Sequence, residues 1–179
     1  GKQGNSRDPS AIGVGGYNRV TGILDVVEAK IKKRTPDRII SDIIELQREY
    51  CCIVWGVETV QFQEFMYTEL LKRAALLGIA FPGIPMPENV EKDLRIISLQ
   101  PHVANGKIRT NRSHGVLNEQ LKFWPEADHD DGPDALEKLW KLATQFAGEW
   151  QYTSAAASRR DRRSTSRASG HSDDWDDDD

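Results

Sequence analysis

Hydrophobic positions along this chain change period several times, and each change marks an element. Ile12 and Val14 stand among glycines over residues 11–17, and Val20, Ile23, Leu24, Val26 and Val27 crowd residues 20–29. With Asn18-Arg19 between them, the two runs predict a β-hairpin. From Thr35-Pro36 the period lengthens. Ile39, Ile40, Ile43, Ile44, Gln47 and Tyr50 recur at three and four, one face of a helix, with Thr35 as its cap and Pro36 in the first helical position. Residues 51–57 are apolar and uncharged, which predicts a buried, parallel central strand. A second helix is expected over 60–77, with Phe65, Met66, Leu70 and Ala74 inward and Gly78 ending it.

Beyond Gly78 the elements shorten. Residues 79–81 read as a brief strand, 82–87 as a proline-stiffened loop, 91–99 as a short helix and 106–110 as a short strand. A helix over 116–123 is stopped by Pro125. The last helix is expected over 134–147, with Ala135, Leu136, Leu139, Leu142, Ala143 and Phe146 as its apolar stripe. A hairpin followed by alternating helices and short strands is an α/β pattern with a mixed sheet, antiparallel first and parallel later. After Tyr152 the pattern is lost: Ser, Ala and Arg dominate up to His171 and a run of Asp closes the chain. Such a segment buries too little apolar surface to offset its ordering entropy. The expected organisation is one domain over 1–152 and a disordered tail over 153–179.

Charge adds one restriction. The 179 residues carry a net −4, but from Arg159 onward there are five Arg and seven Asp, which leaves 19 basic and 21 acidic residues, or −2, for the body. A near-neutral body is not built for nucleic-acid binding by bulk electrostatics, although local patches stay open. Cys51 and Cys52 are adjacent and read as two buried thiols in a strand, which suits a reducing compartment. No Cys/His spacing points to zinc, no run reaches the ~20 apolar residues of a membrane span, and no signal peptide is recognisable. The chain begins with Gly1 rather than Met and reads as a cut piece of something longer.

The chemistry is concentrated in Asp128-His129-Asp130-Asp131-Gly132-Pro133-Asp134, four carboxylates in seven positions at the start of the last helix. Like charges so close repel unless a cation neutralises them, and hard divalent cations choose carboxylate oxygens. A further acid, Glu58, stands just past the apolar run 51–57, where open α/β sheets place their sites. Asp131 and Asp134, three apart, can face one way. Together with Glu58 they could hold two Mg²⁺ or Mn²⁺ ions ~3.5–4 Å apart, an arrangement that clamps both oxygens of a phosphodiester displacement. The plainer reading is that Asp at a helix start caps the helix and answers its dipole. His129 reads either as a metal or proton-transfer partner or as a solvated loop residue. Lys92, Arg95, Lys107, Arg109 and Arg112 read as phosphate contacts or, for the first two, as a salt-bridging face with Glu88, Glu91 and Asp93.

Three stretches carry a family resemblance: 8–12 (Asp-Pro-Ser-Ala-Ile), 55–63 (Trp-Gly-Val-Glu-Thr-Val-Gln-Phe-Gln) and 129–136 (His-Asp-Asp-Gly-Pro-Asp-Ala-Leu), with support from 92–96 and 106–108. From about residue 4 to 147 the chain resembles the C-terminal nuclease domain of tailed-phage terminase large subunits. The resemblance implies an RNase H-like mixed sheet flanked by helices. It implies a two-metal endonuclease, using Mg²⁺ or Mn²⁺, that cuts concatemeric double-stranded DNA during genome packaging in the host cytoplasm. Glu58, Asp131 and Asp134 would be the catalytic metal ligands, with Asp130 and Asp8 as further candidates, and Lys92, Arg95, Lys107 and Arg109 would contact DNA. The implied partners are the small terminase subunit, the portal protein and the packaging ATPase domain; the last is absent here, since the chain has no phosphate-binding GxxxxGK[ST] loop. In the family a metal-ligating Asp lies on the first strand. Asp8-Pro9 has those letters but directly precedes what looks like the second strand, so the first strand and its Asp are expected upstream of Gly1. Two rivals remain: another RNase H-like nuclease such as a resolvase or transposase core, and a non-catalytic module that docks portal or DNA.

Overall fold

Asn18 decides where the hairpin turns. In the structure, a computed structural model that describes residues 9–58 and 61–146 (side chains of 61–64 excepted), the Asn18 side-chain oxygen accepts hydrogen bonds from the N–H of Val20 at 2.9 Å and of Thr21 at 3.1 Å. Gly22 takes a left-handed φ of +66°, a conformation open to glycine at no steric cost. The turn therefore spans 19–22, and Val20, expected in the second strand, is 96 % exposed within it. β1 (Ser10–Asn18) and β2 (Ile23–Lys32) pair antiparallel, with a register shift between Val14 and Gly15.

α1 (Pro36–Tyr50) begins as its sequence predicts, with the Thr35 hydroxyl accepting from the Arg38 N–H and Pro36 at the start. It buries Ile40, Ile44 and Leu46. Gln47 shares that apolar stripe for a specific reason: its side chain accepts from Trp55 Nε1–H at 2.6 Å and donates to the carbonyls of Cys52 and Ala80. Asp42 is 1 % exposed and is held by Arg34 Nε at 2.7 Å and Arg38 Nε at 2.8 Å. Arg34 also donates to the Ser10 and Lys30 carbonyls, so one buried ion pair ties α1 to both strands of the hairpin.

The elements that follow are β3 (Trp55–Glu58), α2 (Gln61–Leu76), β4 (Gly83–Met86), α3 (Lys92–Ile97), α4 (Gln100–Ala104), β5 (Ile108–Arg109), α5 (Gly115–Phe123) and α6 (Asp131–Phe146). Several depart from the sequence expectations. The strand expected over 51–57 keeps only its second half, because Cys51 is the left-handed C-cap of α1 (φ 48°) and Ile53 is 59 % exposed. The cysteines are accordingly not two buried strand residues: Cys51 is exposed and Cys52 half-buried, where burial raises its thiol pKa. Phe65, expected inward, is 73 % exposed, whereas Leu70 and Ala74 are buried. The strand expected at 79–81 forms at 83–86, inside the supposed proline loop. Pro85 lacks an N–H, which suits an edge strand paired on one side. α4 was not foreseen.

The described strands form two sheets, one in the order β1-β2-β5 and one of β3-β4; β2-β5 and β3-β4 are parallel. This is a mixed α/β arrangement of sheet and flanking helices, compatible with an RNase H-like fold. One core cluster joins Val26, Leu99, Ile108, Leu117 and Leu136; a second joins Ile12, Val14, Leu46 and Trp55, and so spans β1, α1 and β3. A compact unit covers 1–147. The proposed tail and Asp8 lie outside the described residues. Among the described residues no helix is long and apolar enough to cross a membrane.

Candidate functional site

α6 starts at Asp131, three residues earlier than the periodicity indicates, so Asp131 and Asp134 both fall in its first turn. Gly132 lets that turn sit close to its neighbours. A Cβ there would stand 2.5 Å from Gln120 Oε1 and 2.7 Å from Ile31 Cδ1, and the Gly132 N–H donates to Gln120 Oε1 at 2.9 Å. Pro133 is fully buried beside it. The Gly-Pro pair thus seats the acidic helix end against α5 and β2.

Glu58 ends β3, and Lys138 brings it together with α6. The Lys138 ammonium lies 3.2 Å from Glu58 Oε2 and 2.6 Å from Asp134 Oδ2, so those two oxygens are at most 5.8 Å apart, the sum of the two distances. Glu58, Asp131, Asp134 and Lys138 all line one cleft of about 710 Å³. Glu58 and Asp134 are separated by most of the fold in sequence and converge only in space.

Arg95 organises the same acids from behind. It is 8 % exposed, and its Nη1 lies 2.8 Å from both Asp134 Oδ1 and Glu137 Oε2, with Nε 3.1 Å from Glu88 Oε2. The contacts to Asp134 and Glu88 are ion pairs without aligned hydrogen bonds: both Glu88 oxygens and Asp134 Oδ1 are buried with no hydrogen-bond partner, while Arg95 Nε–H is directed to the Val90 carbonyl. Lys92 holds Asp130 at 2.6 Å. The repulsion read from the sequence is therefore answered in part by cations of the chain itself. The signal for Lys138 was present as an i,i+4 pair with Asp134, and Glu88 belongs to the salt-bridging face that the sequence offered Arg95; nothing in the sequence marked Glu137.

The carboxyls titrate in opposite directions. Burial raises the Asp131 pKa, and Lys92 only partly offsets it. Burial also pulls Asp134 up, but Lys138, Arg95 and Lys92 outweigh it and its pKa ends below the ordinary value. Burial lowers and Asp130 raises the Lys92 pKa, with the net shift upward.

Of the residues named for DNA contact, Lys92 and Arg95 stand at the acidic cluster, ion-paired as described. Lys107 and Arg109 do not line the cleft. Lys107 Nζ donates to the Thr21 carbonyl, and Arg109 forms a two-pronged pair with Asp25 at 2.6 and 2.7 Å, on the far side of β2 from β1. Asp130 is half-buried and His129 exposed. The side chains of Gln61, Phe62 and Gln63 lie outside those described.

Hard carboxylate oxygens suit Mg²⁺ or Mn²⁺. Glu58 and Asp134, both held on Lys138, and Asp131, which lines the same cleft, are the carboxylates there that could take such an ion. Among the described residues, however, no three His, Cys, Asp or Glu side chains are arranged as a ready metal cage. Comparison of the chain with protein-family models and with curated proteins gives no match.

Proposed function

We propose that this chain is the endonuclease domain of a phage DNA-packaging terminase large subunit, which hydrolyses phosphodiesters of double-stranded DNA with Mg²⁺ or Mn²⁺ held by Glu58, Asp131 and Asp134. The observation that carries the reading is the convergence of Glu58 and Asp134, no more than 5.8 Å apart at one mouth of a cleft. Bound there, the ions would supply a water acidic enough to attack at neutral pH and a counter-charge for the leaving oxygen. The protein's part is to hold the acids ionised and aimed. Arg95 and Lys138 keep Asp134 deprotonated, and the packed first turn of α6 fixes its direction. Lys92, beside Asp130, stands where it could reach a phosphate at the cost of that pair. The small terminase subunit, the portal and the ATPase domain are the partners this reading assigns.

The Lys138 bridge favours one alternative, a scaffold whose acids are paired structurally and which docks DNA or portal without cutting. Calorimetric titration with Mn²⁺ and nicking of supercoiled plasmid separate the two. Glu58→Gln is the clean variant, because Glu58 is 42 % exposed and its loss leaves the Asp134 pairs intact. Losing a metal ligand removes several kcal/mol of transition-state stabilisation, at least about a 100-fold fall in nicking, with weaker Mn²⁺ binding. Mn²⁺ binding identical in wild type and Glu58→Gln overturns the nuclease reading whether or not the isolated domain cuts.

A further inference from the structure

Lys92 and Arg95 share one short helix, α3, yet they are tied to the acidic end of α6 in different ways. Arg95 is buried and faces three carboxylates, Glu88, Asp134 and Glu137, so moving it would strand all of them. Lys92 holds one. Its ammonium donates to Asp130 Oδ1 at 2.6 Å, and the two side chains are 40 % and 38 % exposed. An ion pair so open to water is worth little, because solvent screens it and holding two side chains in one geometry costs entropy. Arg95 is therefore committed, and Lys92 is the cation of this helix that a ligand can take.

Asp130 stands apart from the other acids in the same way. Glu58, Asp131 and Asp134 line the cleft; Asp130 and Lys92 do not. Asp130 precedes the first residue of α6, and its backbone is anchored there, its carbonyl accepting from the Asp134 N–H at 3.0 Å. The side chain takes no part in that bond, so the carboxylate can leave Lys92 without disturbing the helix start. The pair is nevertheless close enough to the cleft for its charges to be felt there. Burial is the main cause of the raised Asp131 pKa; Lys92 pulls it down and Asp130 pushes it up. A carboxylate on a lysine also presents what a phosphodiester presents, two oxygens sharing a negative charge before an ammonium that acts as a point charge.

We propose that Asp130 is a placeholder for a DNA phosphate: its carboxylate covers Lys92 in the free protein, gives the ammonium up to a phosphodiester of the bound duplex, and is not one of the metal ligands. This deepens the nuclease reading and rests on it for the ligand. In the exchange the ammonium trades one anionic oxygen for another, and the freed carboxylate, already 38 % exposed, is taken up by water. The two roles open to Asp130 have opposite signs. Neutralising a metal ligand weakens Mn²⁺ binding. Neutralising a placeholder uncovers Lys92 and strengthens the hold on DNA.

The test is a double-mutant cycle on the full chain with Asp130→Asn, Lys92→Met and the double variant. Affinity for a short DNA duplex is read by fluorescence anisotropy at low ionic strength in chelator, where no strand is cut. Asp130→Asn should bind about two- to fivefold tighter, the worth of an exposed ion pair. Lys92→Met should bind more weakly and with a salt slope reduced by about 1. In the Lys92→Met background the gain from Asp130→Asn should disappear. As a second readout, calorimetric titration with Mn²⁺ should show Asp130→Asn weakening the ion less than Glu58→Gln does. A gain of equal size with and without Lys92 is plain charge repulsion and overturns the exchange. So does weaker duplex binding by Asp130→Asn, or a loss of Mn²⁺ affinity as large as that of Glu58→Gln, which makes Asp130 a metal ligand; both leave the nuclease reading standing. Absence of duplex binding by every form overturns the placeholder as well, while the nuclease reading is judged separately by Mn²⁺ titration of Glu58→Gln.

Discussion

Lys138→Met is the most informative perturbation of the acidic cluster. Met keeps most of the stem's packing and removes the ammonium that Glu58 and Asp134 share. The two arms differ in weight. Glu58 is 42 % exposed, so its 3.2 Å pair is screened and contributes about 0–1 kcal/mol. Asp134 is 16 % exposed and Lys138 14 %, and their 2.6 Å contact is a charge-assisted hydrogen bond of about 1.5–3 kcal/mol. Arg95 still faces Asp134, so the loss does not reach that of a buried charge left alone. The expected destabilisation is about 2–4 kcal/mol, read by urea unfolding at pH 7 with a chelator present. Divalent cations should then do what the lysine did. In the variant, Mn²⁺ at 100 times its Kd should restore about 2.7 kcal/mol, and the Mn²⁺-induced gain should exceed that of the wild type, where the ammonium competes for the same oxygens. A variant as stable as wild type in chelator refutes the bridge. A Mn²⁺ gain equal in Lys138→Met, Glu58→Gln and wild type refutes a metal at these carboxylates.

Further expectations concern the fold around the site. Asp42→Ala leaves Arg34 buried without its carboxylate and should cost about 3–5 kcal/mol in urea unfolding. Gln47→Leu keeps the volume but strands the Trp55 indole N–H, at about 1–3 kcal/mol, with tryptophan fluorescence reporting the change. Asp131 and Asp134 should act oppositely on the pH profile. The Asp134 pKa is depressed, so its contribution is present above the unfolded carboxyl value of ~3.9 and is lost as pH falls through the lower folded value. The Asp131 pKa is raised, so its contribution is full below ~3.9 and is lost as pH rises through the higher folded value. Asp131→Asn should therefore raise Tm at pH 7 in chelator, show no gain near pH 3, and weaken any Mn²⁺-induced shift; a variant less stable at pH 7 contradicts the burial cost assigned to Asp131.

What could be read along the chain was whatever depends on neighbours in sequence. Thr35-Pro36 and the isoleucines behind it specify α1 almost to the residue, because capping and a 3.6-residue period are local. Gly78 stops α2 for the same reason. The α/β class and the acids that open α6 were legible in that way too. Elements whose limits rest on distant partners were not. β4 forms at 83–86 because β3 offers it a partner, and the apolar residues before it do not pair; β3 begins only at Trp55 because Cys51 turns left-handed. The Asp cluster by itself implied a missing cation. Folding brings Arg95 and Lys138 to it from other turns and leaves Glu58 and Asp134 on one ammonium. Only the tertiary structure could decide this, since a carboxylate's nearest counter-charge is a matter of distance in space.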